Sequence, residues 1–224
     1  MSAVRRHSLS LFFGLIFVVA LFGQSIAGLV AYNEDQLAHG QATVDYLHFI
    51  TSSAFVVDVA ENWQSEFLQF FLFILATVWF VQQGSPESKK LGDEGLGSDE
   101  DQLVGEYARP DSPRWARARG VRLWLYSNSL LLVMGVIFVL SWSAQAVAGT
   151  VVYNAEQAEH GQPAVTVIGY VLSADFWNRT LQNWQSEFLA VGCMVAFSIY
   201  LRQRGSSESK PVGTPHHTAS VENE

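Results

Sequence analysis

Charge is scarce in this chain. Only 15% of its 224 residues are charged, against about a quarter in soluble domains, so an ordinary wetted surface is excluded before any motif is read. Cations are scarcer still. The net charge of −8 and pI near 5.2 exclude the basic face that a nucleic-acid partner requires. The single cysteine, Cys193, excludes an intramolecular disulfide and any multi-cysteine metal site. Lying in an apolar run, it reads as a small buried hydrophobe. There is also no nucleophile elbow, phosphate loop, dinucleotide fingerprint or H-E-x-x-H zinc motif. No catalytic residue, metal or cofactor is therefore assigned.

What the chain does have is apolar length. Hydrophobic residues make up 49% of it and the mean hydropathy is +0.16. Four stretches stand out, at about 9–29, 63–82, 129–150 and 184–202. Each holds about 20 residues, or ~30 Å of helix, the hydrocarbon thickness of a bilayer. Inside them the acids are Glu66 and Glu187, and Arg202 marks the last edge. This predicts an all-α polytopic membrane protein with four transmembrane helices.

The cations set its orientation. Of 13 basic residues, all but Arg179 lie in the N-terminal segment (Arg5, Arg6), in the middle segment or beyond the last stretch. The positive-inside rule puts both termini and the middle segment in the cytoplasm and the two acidic loops outside. A cleaved signal peptide would also place Arg5 and Arg6 before an apolar run, but this run exceeds a typical signal core. The same pattern also returns at 129–150.

The strongest feature is self-similarity at a constant offset of 121 residues. Gln24 aligns with Gln145, Gly28 with Gly149, Tyr32-Asn33 with Tyr153-Asn154, and His39-Gly40-Gln41 with His160-Gly161-Gln162. The run from Asn62 to Leu68 recurs unchanged from Asn183 to Leu189, and Gly84-Ser85-x-Glu87-Ser88-Lys89 recurs at Gly205 to Lys210. Identity over residues 8–89 is roughly 40%, far above chance. The expected organisation is a first hairpin (1–90), a flexible linker that is acidic and then basic (91–120), a second hairpin (121–210) and a disordered tail (211–224). Two spans per hairpin make this a parallel repeat about an axis along the membrane normal. His216-His217 in the tail is a weak metal signal.

Together these motifs resemble those of an uncharacterised bacterial integral-membrane family of unknown function, a duplicated two-helix hairpin with the Asn-Trp-x-Ser-Glu-Phe-Leu signature. The resemblance covers nearly all of the chain except linker and tail. It implies the topology and an inner-membrane location, and it carries no activity.

Gly14, Phe17, Gln24 and Gly28 fall on one helix face, which continues through Tyr32, Gln36 and His39 to a stop at Gly40. A helix of about 30 residues with a stripe of close helix contact follows. Gln24 and Glu66 lie at similar depth, so an amide–carboxyl hydrogen bond is expected there, and likewise between Gln145 and Glu187. These four residues form the candidate polar or ion site. Trp63 and Trp184 are expected interfacial anchors. A glutamate in a span is costly, roughly 2–3 kcal/mol at the centre and less near the interface. Either each carboxyl fixes the register of its own hairpin, or the two converge as a cation or proton site. His39 and His160 could join Asp35 and Glu156 as metal ligands, or simply end a solvated helix. Tyr46, Leu47, Phe49, Ile50, Phe55, Val56 and Val59 predict short amphipathic helices on the membrane surface or capping the bundle.

The leading expectation is a non-enzymatic structural or interaction protein. A small cation or proton transporter using Glu66 and Glu187 is the alternative, and an outward-facing membrane enzyme the third. The expected partner is the lipid bilayer, with homo-oligomerisation left open.

Overall fold

The computed structural model describes residues 3–218, and over these the chain is helical with no strand. A single turn α1 (Ala3–Arg6) precedes α2 (Ser8–Ala38), the short α3 (Tyr46–Ile50) and α4 (Ser53–Trp79). After the middle segment come α5 (Val121–Ser127), α6 (Ser129–Glu159), the short α7 (Val167–Val171) and α8 (Ala174–Tyr200). Both α2 and α6 have 31 residues, or about 46 Å at 1.5 Å per residue. They are the two helices among the described residues that are long and apolar enough to cross a membrane.

The other two apolar stretches lie in α4 and α8, each 27 residues long. Here the boundaries differ from the sequence reading. The helix begins at Ser53 rather than Trp63 and ends at Trp79 rather than Gln82, while α8 starts at Ala174, well before Trp184. Serine caps explain the early starts: Ser52 Oγ accepts from Phe55 N at 3.3 Å, and Ser173 Oγ from Phe176 N at 3.2 Å. No glycine or proline interrupts the chain from Ser53 to Trp79, so the helix runs on. Phe55, Val56 and Val59 therefore belong to α4, and only Tyr46 to Ile50 form a separate short helix. The polar runs Asn62–Glu66 and Asn183–Glu187 inside α4 and α8 keep these helices out of the strongly apolar class.

The chain divides into two compact units, each drawing on both halves of the sequence. One comprises residues 1–60 and 144–172, the other 61–143 and 173–224.

In the first unit, each long helix ends in the same way. Gln41 N bonds Gln36 O at 2.8 Å and Gly40 N bonds Leu37 O at 3.1 Å; Gln162 N to Gln157 O (2.8 Å) and Gly161 N to Ala158 O (3.1 Å) match them. This is the Schellman pattern, which needs a left-handed residue after the cap. Gly40 (φ +69) and Gly161 (φ +66) supply it. The chain then folds back and an asparagine clamps it. Asn33 Oδ1 accepts from Val44 N at 2.8 Å while its Nδ2 donates to Val44 O at 3.0 Å. Asn154 grips Val165 at 2.8 and 2.9 Å. Asp45 and Thr166 cap α3 and α7 by accepting from His48 N and Gly169 N. The short helices thereby turn Phe49 (2% exposed) and Tyr170 (1% exposed) onto the long ones.

A Cβ at Gly28 would lie 2.8 Å from the Phe49 ring, and one at Gly149 2.8 Å from Tyr170. These glycines, expected to bring spans together, instead receive a ring from a loop helix. Gly135, in the second unit, does face a long helix: its Cβ would lie 3.0 Å from Phe71 on α4. Replacing Gly149 by leucine should therefore displace Tyr170 and cost about 1–3 kcal/mol. Leucine at Gly14, where no atom approaches within 4 Å, should leave thermal unfolding in detergent unchanged.

In the second unit, the segment from 91 to 120 forms turns and two 3-10 turns, Gly105–Tyr107 and Arg114–Arg117. The two Gly-Ser-x-Glu-Ser-Lys stretches fold alike. Ser88 Oγ accepts from Gln82 N at 2.7 Å, and Ser209 Oγ from Gln203 N at 2.9 Å. Of the tail expected to be disordered, 219–224 lie outside the described residues.

Candidate functional site

The polar run of α4 meets that of α8 in the second unit. Gln64 is fully buried. Its Oε1 accepts from Trp184 Nε1 at 2.8 Å and its Nε2 donates to Glu61 O at 3.1 Å, so the amide is satisfied at both ends, as burial demands. Next to it Arg179 Nη1 lies 3.4 Å from Glu61 Oε1, and Arg179 Nε 3.1 Å from Asp175 Oδ2. This accounts for the one cation that the charge rule left on the outer side: it is held by two carboxylates. The indole of Trp184, expected as an interfacial anchor, spends its N–H on Gln64; Trp63 is 39% exposed.

Glu66 is exposed and Glu187 half-buried, and they lie close enough for their charges to interact. Each of the two is the other's counterpart at the 121-residue offset. Above them an aromatic group packs around Trp142 of α6. Its ring centroid lies 5.6 Å from Phe138, 6.1 Å from Phe176 and Trp177, and 6.0 Å from Trp184. The equivalent positions 21 and 56 are Leu21 and Val56, so the indoles of Trp142 and Trp177 have no aromatic counterpart in the first half of the sequence.

The other expected residues lie in the first unit. Gln24 on α2 is exposed, whereas Gln145 on α6 is fully buried. His39 and His160 turn Nδ1 to a carbonyl one turn back, Asp35 O at 2.9 Å and Glu156 O at 2.8 Å. The Asp35 carbonyl contact, then the charges of Asp35 and Glu159, raise the His39 pKa above its ordinary value. Glu159 also receives Gln41 Nε2 at 3.2 Å. Among the described residues no three His, Cys, Asp or Glu side chains gather as a metal site, and the geometry gives these histidines a role in ending helices. His216 bonds Ile199 O through Nδ1 at 3.0 Å.

A second polar layer, unforeseen as a site, forms at the other end of α4 and α8. Ser85 and Ser198 hydroxyls meet at 3.3 Å. Glu87 and Glu208, again counterparts at the 121-residue offset, lie close enough for their carboxyls to interact. Lys210, 3% exposed, donates to the carbonyls of Gly84, Pro215 (3.3 Å), His216 (3.0 Å) and Thr218 (3.0 Å). Burial, and then the Arg202 charge, lower its pKa. Arg202 Nη1 reaches the end of α8 at Ser198 O (3.2 Å) and Ile199 O (3.0 Å), where a cation suits the helix dipole.

Between these layers the helices are apolar. From Phe67 to Ala76 the polar residue is Gln69, and from Phe188 to Phe197 there is only Cys193. Ten residues correspond to about 15 Å of helix. Thr77, the expected continuation of a polar path, turns its hydroxyl to Ile74 O at 3.0 Å.

Two outcomes follow. Gln64→Ala empties a fully buried site and strands the half-buried Trp184 N–H, and should cost about 1–3 kcal/mol, while Gln185→Ala, at the exposed equivalent position, should change stability by less than about 0.5 kcal/mol. Chemical or thermal unfolding of the two variants measures the contrast. For Glu87, burial first and then the charge and hydrogen bond of Glu208 raise the pKa. A raised carboxyl pKa contributes stability that is complete below the ordinary value and lost as pH rises through the folded one. The melting temperature should therefore rise as pH falls from neutral toward ~5, and Glu87→Gln should remove part of that slope.

No curated protein and no solved structure matches the chain. A family model, the domain of unknown function DUF6766, matches residues 1–221. A helical chain with two membrane-length apolar helices and polar layers at both ends of α4 and α8 is thus a member of the DUF6766 family.

Proposed function

We propose that this protein is a four-span membrane protein of a bacterial inner membrane, built as two tandem hairpins with both termini and the 91–120 segment in the cytoplasm. On this reading its role is structural or interaction-based and non-enzymatic. α4 and α8 form the paired centre, with Glu66 in electrostatic reach of Glu187 at one end and Glu87 of Glu208 at the other. A residue comes near its own counterpart only close to a two-fold axis, and two such approaches, one on α4 and α8 and one just beyond their ends, support an axis running between them.

The observation that carries the non-transport reading is the apolar interval between the layers. A translocation path needs polar groups or water near the midplane, and Phe67–Ala76 against Phe188–Phe197 offers almost none. The approach of Glu66 to Glu187 favours the rival reading, a cation or proton site. The two are separated by flux. Proteoliposomes carrying the wild-type chain should show no proton or cation flux above protein-free vesicles under an imposed gradient. Glu66→Gln with Glu187→Gln should keep or slightly raise the melting temperature, because it removes like-charge repulsion. Gradient-driven flux in the wild type that the double variant loses would establish transport instead.

A further inference from the structure

We propose that Arg114, Arg117 and Arg122 form a binding site for the phosphate group of an anionic phospholipid. The residues come from two elements that the local structure brings together. In the 3-10 turn Arg114–Arg117, side chains three apart eclipse one another, so Arg114 and Arg117 share a side. Ala116, 5% exposed, anchors that turn. Gly120 then takes φ +59 and the chain reverses into α5, which carries Arg122. The rings of Trp115 and Tyr126, 6.3 Å apart, hold the turn to α5.

Between them is a cavity of about 300 Å³ lined by Arg114, Trp115, Arg117, Ala118 and Arg122. That is the lower end of the range for small-ligand clefts, the size of a headgroup rather than of a whole lipid. Arg117 Nη2 donates to Arg109 O, which fixes one guanidinium. Among the described residues none of these three arginines makes an ion pair. Three like charges around one cavity without an acid repel one another, and an anion relieves that. Guanidinium groups offer paired N–H donors that match phosphate oxygens.

The lipid is favoured over free phosphate by what flanks the site. Trp115, Trp124 and Tyr126 are exposed, the residue types that sit at headgroup level, and the apolar α6 begins at Ser129. Basic clusters next to a membrane helix attract anionic lipids. The choice of lipid rests on the membrane reading above, whereas phosphate recognition by the three arginines does not.

The test uses the full chain in detergent, titrated with phosphatidylglycerol or phosphatidylcholine and read by native mass spectrometry. Arg114→Gln/Arg117→Gln/Arg122→Gln is compared with Arg5→Gln/Arg6→Gln/Arg204→Gln, which removes the same charge elsewhere. The wild type and the control triple should retain phosphatidylglycerol at least tenfold better than phosphatidylcholine, and the site triple should lose that preference. Circular dichroism establishes that both triples fold. Equal loss in the two triples, or no preference in the wild type, would overturn the site. Displacement of the lipid by inorganic phosphate at equal concentration would overturn the lipid assignment. If the chain stays monodisperse without detergent, the membrane reading fails, and phosphorus NMR with inorganic phosphate then decides the arginine site by itself.

Discussion

Leu11, Phe12, Phe13, Leu15 and Ile16 on α2 remain 48–66% exposed after folding, and Leu130, Val133, Val136, Val139 and Leu140 on α6 remain 54–64% exposed. Fully burying one such side chain is worth roughly 1.5–3 kcal/mol. Ten of them left half in water would forfeit a sum comparable to the whole stability of a domain, about 5–15 kcal/mol. Monomeric soluble proteins avoid contiguous apolar patches of this kind. These two helices are long and apolar enough to cross a membrane, and on the proposed membrane reading lipid covers these faces. In such a medium the chain must satisfy its own polar groups wherever they enter.

The helix ends show how it does so. Asn33 and Asn154 each offer a carbonyl oxygen and an amide to one residue of the returning loop, replacing a ladder contact where no sheet exists. Serine caps start α4 and α8, Schellman turns end α2 and α6, and Arg202 binds the last carbonyls of α8. Gln64 is the same solution applied between helices: an amide fully removed from solvent, bonded to a backbone carbonyl and an indole. Polar groups thus collect in two layers and leave the middle of α4 and α8 apolar.

Much of this was legible in the residues. The apolar windows located the long helices, and the stripe ending at His39-Gly40 set the length of α2. The start of α4 was hidden because Asp58, Glu61 and Asn62 read as loop residues, while the Ser52 cap and an unbroken helix-forming run decided otherwise. The partner of Trp184 was hidden because Gln64 lies in a run that recurs unchanged at 183–189, and a repeated motif does not say which copy is buried. Gln64 is buried and Gln185 exposed. Gly28 and Gly149 signalled a close approach but not its source, since Phe49 and Tyr170 come from loop helices whose placement depends on the asparagine clamps.

The differences between the halves bear on why two hairpins would share one chain. On the tandem-hairpin reading, the position that faces Glu61 is residue 179, equivalent to Asp58. In a symmetric pair of the first hairpin, Glu61 would therefore meet an aspartate, and two carboxylates at that distance repel. Here the position holds Arg179, 3.4 Å from Glu61 Oε1, and Asp175 in place of Ala54 supports the arginine from one turn back. The Trp142 cluster follows the same logic, because the indoles of Trp142 and Trp177 occupy positions that are Leu21 and Val56 in the first half. Joining the hairpins lets one side of the axis change without the other. A repulsive contact can then become an ion pair, and an aromatic group can fill one side, neither of which identical subunits permit.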